Sequence, residues 1–163
     1  MAAPTSQDAG SARAAVARRF WDALGAKDAD AMAACYAADA TFEDEVFRLR
    51  GAECGTMWRM LFQGAADLRI RTHPLKQGDG VAHGTWEAWY TFSATGRPVH
   101  NKIRTRLVVR GGKVVDHQDS FPFWRWSRQA LGAKGWLLGW TPLLRMVVRR
   151  QARRRLQRWM AAA

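Results

Sequence analysis

The chain has 163 residues, 48% hydrophobic and 25% charged, with a formal net charge of +12. That is enough for one domain to bury a core without disulfides or a structural metal, and Cys35 and Cys54 form no CxxC or zinc-like spacing. No apolar run reaches the roughly 18 residues of a membrane span and the first ten residues lack a signal-peptide core, so a reduced, cytoplasmic setting is expected.

Residues 1–10 are small and polar and read as a disordered tail. From Ser11, the residues Ala15, Val16, Phe20, Ala23 and Leu24 recur at helical steps up to Gly25 and Lys27. Asp28 suits the N-cap of a second helix carrying Met32, Cys35 and Tyr36. A first strand follows over 40–47. Gly51 opens a third helix bearing Met57, Trp58, Leu61 and Phe62. Strands are predicted over 67–77, 81–94, 99–110 and 113–121, broken by turns at Gly78-Asp79-Gly80, Thr95-Gly96 and Gly111-Gly112. Successive hairpins curl a sheet. The expected fold class is therefore α+β: residues 11–121 form a cone-shaped curved antiparallel sheet wrapped by N-terminal helices around an apolar pocket.

Side chains alternate along a strand. Trp86, Ala88, Tyr90 and Phe92 share the face expected to look inward, and with Trp58 they would wall the pocket. Glu87 and Trp89 fall on the opposite, open face, a surface that suits a homodimer and equally a solvated face. In the last strand the same alternation groups Val115, His117, Asp119 and Phe121. An inward Asp119 is a candidate acid/base with His117 orienting it, and the competing reading is a buried polar pair that merely satisfies itself. Asp44, between Glu43 and Glu45, is a second candidate base or a solvated turn carboxylate. His83 and His100 have no acidic partner at strand spacing and read as structural or exposed. No metal-ligand cluster or cofactor motif occurs, so neither is expected.

The segments Arg19-Phe20-Trp21-Asp22-Ala23-Leu24 and Ala40-Thr41-Phe42-Glu43-Asp44, together with the order of elements, resemble the nuclear transport factor 2-like superfamily over about residues 13–121. That superfamily includes ketosteroid isomerases, SnoaL-like polyketide cyclases and limonene epoxide hydrolase. The resemblance implies the cone and its pocket, and the aromatic residues expected to line that pocket are Phe20, Trp58, Trp86, Tyr90, Phe92, Phe121 and Trp124. It sets the isomerase base on Asp44, the oxyanion tyrosine on Phe20 and the oxyanion aspartate near Thr105. Phenylalanine has no proton to donate, so a complete isomerase site is not expected. Asp119 falls where cyclases and the hydrolase carry an acid/base aspartate. The hydrolase Arg-x-Asp falls on Thr85-Trp86-Glu87, which lacks the arginine.

The charge is concentrated at the end: residues 1–119 carry 16 Lys/Arg against 14 Asp/Glu, and residues 120–163 carry 10 against none. Residues 122–163 read as a Trp/Arg-rich helical extension: a short helix entered through Pro122, a Gly-rich link over 132–139, and a basic amphipathic helix capped by Thr141 and begun by Pro142. Its row Leu144, Val148, Ala152 and Leu156 would dock on the cone or a partner subunit, lie on an anionic membrane through residues 141–163, or, least favoured, follow nucleic-acid phosphates. Loss of residues 141–163 is expected to leave a folded core. Two functions fit: proton-transfer catalysis of isomerase, cyclase or hydrolase type on a small hydrophobic molecule, or a non-catalytic binding or interaction module attached to an anionic membrane surface or a partner by its tail.

Overall fold

The structure is a computed structural model and describes residues 6–162. Helices α1 (Ser6–Ala26), α2 (Ala29–Cys35) and α3 (Ala52–Gly64) pack on a seven-stranded sheet. Its strands are β1 (Tyr36–Glu43), β2 (Arg48–Arg50), β3 (Arg69–Thr72), β4 (Lys76–Gly78), β5 (Val81–Phe92), β6 (Arg97–Arg110) and β7 (Lys113–Ser120). α1 begins inside the stretch expected to be disordered, so residues 6–10 are helical, while residues 1–5 lie outside the described residues. Asp28 caps α2 as expected, accepting from the Ala31 N–H at 2.9 Å. Tyr36 leaves that helix and starts β1.

The long hairpin β5–β6 runs from Val81 opposite Val108 to Phe92 opposite Arg97, and β7 continues the antiparallel order. One pair departs from it. β1 lies parallel to β7, with Phe42 beside His117, because a chain entering from α2 reaches the sheet along the same direction as β7. The expected strand 67–77 is split into β3 and β4 around Pro74, which has no N–H for a ladder. Gly84 sits in β5 directly beneath Trp21 of α1, where a Cβ would come within 2.4 Å of the indole, so the glycine sets how closely α1 approaches the sheet.

Inward alternation on β5 is as expected. β7 differs by one residue. Between Val108 and Val109 the β6–β7 register shifts, and Val114 rather than Val115 fills the interior, fully buried. The β-bulge absorbs Val115 and leaves His117 and Asp119 pointing inward. On the outer face Glu87 accepts from His73 Nε2 at 3.0 Å and from His100 Nε2 at 2.6 Å, and Trp89 stacks on His100 at 4.5 Å. His100 therefore has the acidic partner that strand spacing alone did not supply, reached across the β5–β6 ladder.

The extension folds back on the cone. It forms α4 (Phe123–Leu131), α5 (Ala133–Leu138) and α6 (Pro142–Ala162), so the expected Gly-rich link is itself a short helix. Thr141 caps α6, accepting from the Leu144 N–H at 3.3 Å. The row Leu144, Val148, Ala152 and Leu156 faces the body: Leu156 is fully buried in the main core, and Val148 is buried in a second cluster with Val99, Phe123, Trp126 and Ala130. Arg145 pairs with Glu45 at 3.2 Å, Arg149 donates to the Glu45 carbonyl at 2.9 Å, and Arg153 pairs with Glu53 at 2.7 Å. Docking on its own cone is the arrangement this helix takes.

Candidate active site

A cavity of about 990 Å³ lies between the inner sheet face, α3 and α6. Its wall combines buried Phe42, Met57, Trp58, Trp86 and Ile103 with solvent-exposed Ser93, Ala94, Gln151, Arg154 and Arg158, so it runs from the core out to the surface. Tyr90, Phe92 and Phe121 also line it. Two residues do not. Phe20 is fully buried behind the cavity, edge-on to His117 at 5.2 Å, because α1 presses it against the inner ends of β1 and β7. Trp124 is 43% exposed on α4, held outward by its N–H to the Trp136 carbonyl at 3.2 Å and by Arg128 over its ring at 4.7 Å. Neither lines the cavity, and both leave the set of expected ligand contacts.

Of the polar side chains that line the cavity, Asp44, Asp119, Tyr90 and Asn101 lie on its inner side, whereas Thr91, Ser93, Gln151, Arg154, Gln157 and Arg158 are exposed. Asp119 ends a hydrogen-bond relay whose direction is set by its termini. An indole N–H can only donate. Trp58 Nε1 gives its hydrogen to the Tyr36 hydroxyl at 3.0 Å, so Tyr36 gives its own to His117 Nδ1 at 2.6 Å, and His117 Nε2 in turn donates to Asp119 Oδ1 at 3.0 Å. From the other side Trp86 Nε1 donates to Thr105 Oγ1 at 3.1 Å, and the Thr105 hydroxyl donates to the same Asp119 oxygen. His117 thus has a partner on each ring nitrogen and is 1% exposed, clasped edge-on by Phe42 at 4.8 Å and stacked on Trp58 at 6.1 Å. It does not line the cavity and reaches it only through its hydrogen bond to Asp119.

Asp44 is held in the same way by different means. Its Oδ1 accepts from the Val46 N–H at 2.6 Å and the Phe47 N–H at 2.5 Å, closing the turn from β1 to β2. Among the described residues Oδ2 of either carboxyl makes no hydrogen bond and no buried side-chain polar atom lacks a partner, so both atoms are open to the cavity. Burial pushes the Asp44 carboxyl up to about 7; the two turn N–H groups oppose this, and the nearby Asp119 charge adds to it. A carboxyl with such a value can exchange protons at neutral pH.

Tyr90 accepts from Trp126 Nε1 at 2.9 Å, and burial holds its phenol above the usual range. No acceptor within the described residues takes its hydroxyl hydrogen, which can go to a ligand. Asn101, on β6 opposite Ala88, presents an amide in line with the apolar Val99 and Ile103. Sequence reasoning passed over Asn101, although a lone amide within the inward alternation 99, 101, 103 was its signal. Tyr36, Trp126 and the α6 residues carried no such local signal, because their partners are tens of residues away. Glu87, the counterpart of the hydrolase aspartate, points to the outer face and has no access to the cavity. Among the described residues no group of three metal-ligating side chains converges.

The geometry can be set against known proteins. Residues 17–117 match the family model of the SnoaL-like domain, well over half of the chain. The chain belongs to the SnoaL-like domain family. No curated protein matches the sequence of this SnoaL-like protein. Among solved structures it is similar to one from a Jannaschia species, proposed to be a SnoaL-like polyketide cyclase, with a TM-score of 0.63 at 12% identity over 82% of this chain and 99% of that one. A nuclear transport factor 2-like protein of unknown function from Burkholderia pseudomallei gives a TM-score of 0.62 at 14% identity, covering 73% and 97%. An epoxide hydrolase of the limonene-hydrolase-like kind from M. tuberculosis gives 0.57 at 21%, covering 85% and 97%. At these identities the likeness is one of fold. The SnoaL-like match ends at His117, so Asp119 and all of α4–α6 lie beyond it.

Proposed function

We propose that this SnoaL-like protein binds a small hydrophobic molecule in the cavity and transfers a proton on it, with Asp44 as the base that meets the substrate and Asp119 as the second proton-exchanging carboxyl. The observation that carries this reading is the pair itself. Two carboxyls open into one cavity, each with one oxygen fixed by donors and the other free for a ligand.

Abstraction of a proton beside a carbonyl moves charge onto the carbonyl oxygen, which needs a donor. The Tyr90 hydroxyl, backed by the Trp126 N–H, and the Asn101 amide supply donors where Phe20 cannot. The aromatic wall limits the access of water, which strengthens these interactions. A proton taken by Asp44 can be returned at another atom by the same group or by Asp119, so isomerisation and ring closure share this chemistry.

The test is deuterium exchange. The protein is incubated with a panel of hydrophobic cyclic ketones in deuterium oxide, and label at the carbon beside the carbonyl is read by mass spectrometry. Exchange that falls by about a hundredfold or more in D44N supports the proposal. Native mass spectrometry of the chain purified from its own cells, showing a retained hydrophobic molecule while no ketone exchanges faster than with D44N, favours the non-catalytic carrier instead.

A further inference from the structure

We propose that α5 and the first two turns of α6 form a shelf that docks the protein onto an anionic membrane surface. Among the described residues, nine large hydrophobic side chains are exposed, and all of them lie between Trp124 and Met160, none on the cone. Seven gather within residues 136–147, among them Trp136, Leu137, Trp140, Leu143, Met146 and Val147, with Trp140 75% exposed. Leu143, Met146 and Val147 stand at i, i+3 and i+4 and share one helix face. That face is not the row Leu144, Val148, Ala152 and Leu156, which is spent on the cone. The membrane-facing surface is therefore a different one from the stripe apparent in the sequence.

The occupant follows from charge. From residue 120 onward there are 10 Lys/Arg and no acid. Arg145 and Arg153 are paired to the cone, while Arg125, Lys134, Arg150 and Arg154 are exposed around and beyond the shelf. Arg150 continues the shelf face at i+7 from Leu143. A second copy laid face to face would bring the same cations together with no acid to meet them. Tryptophan and leucine ringed by arginine and lysine is the composition that settles at a headgroup boundary beside anionic lipid. No helix among the described residues is long and apolar enough to cross a bilayer, so the shelf lies on the surface.

The experiment uses the full chain and co-sedimentation with phosphatidylglycerol-containing vesicles and with pure phosphatidylcholine vesicles. The expected result is pelleting with the first and little with the second. W140S/L143Q should lower the partition coefficient about tenfold or more, and K134E/R150E should do the same at low salt, since each cation near an anionic surface contributes about fivefold. Circular dichroism melts of both variants should match the parent. The proposal is overturned if the parent stays in the supernatant, if either variant pellets like the parent, or if neutral vesicles bind equally. It is also overturned if lipid-free sedimentation velocity shows a parent dimer that W140S/L143Q dissociates and no vesicle binding, which would make the shelf a subunit interface.

Discussion

Asp44 shows how a single carboxyl can be poised by its surroundings. The turn that holds its Oδ1 also removes it from water, and desolvation outweighs two N–H donors. The sign for stability follows. The unfolded carboxyl loses its proton near 3.8 and the folded one near 7, so between these values the native state holds more protons and stability falls as pH rises. Because the side chain also meets the cavity, the loss from pH 4 to 7 is expected to be on the order of 2 kcal/mol. Urea unfolding at both values should show this slope in the parent and lose it in D44N. The relay behind Asp119 gives a second prediction. Y36F leaves the Trp58 N–H and His117 Nδ1 without their partner, costing about 1–3 kcal/mol in denaturant midpoint analysis. The sequence pointed to His117 and Asp119 by alternation alone. That they join Tyr36, 81 residues away from His117, depends on β1 lying parallel to β7, which no local pattern encodes.

Among the elements, the hairpins were the most readable, since Asp79, Gly80, Gly111 and Gly112 all take the positive φ that short turns demand. The bulge at Val115 was not, because it is set by the register of β6 and not by β7's own residues. α6 was legible as a helix but not as a wall. Its partners Glu45 and Glu53 sit about a hundred residues earlier, and the same apolar row would suit a bilayer equally well in isolation. With Leu156 fully buried in the main core, loss of residues 141–163 is expected to destabilise the cone. L156A should cost about 2–5 kcal/mol, measured by chemical denaturation. On β5, G84A should cost about 1–3 kcal/mol, since the added methyl must push back Trp21 and with it α1.

At the scale of the whole molecule, cone and extension share one interior. α6 places Leu156 in the main cluster and Val148 in the second, and Tyr90 and Phe121 touch both clusters. Unfolding should therefore be a single transition, with near-ultraviolet and far-ultraviolet circular dichroism melting together; a separate early loss of helix signal would show that the extension detaches on its own. The fold class and the cone were legible because hairpins and amphipathic helices are local, whereas part of the cavity's outer wall is made of residues that the SnoaL-like match leaves out. Val148, Gln151, Ala152, Arg154 and Arg158 all shape the space above Asp44 while lying beyond residue 117. The turn that carries Asp44 lies within the SnoaL-like match and α6 lies outside it, so exchanging the cavity-facing residues of α6 is expected to re-cut the mouth of the chamber while leaving the carboxyl at its floor unchanged.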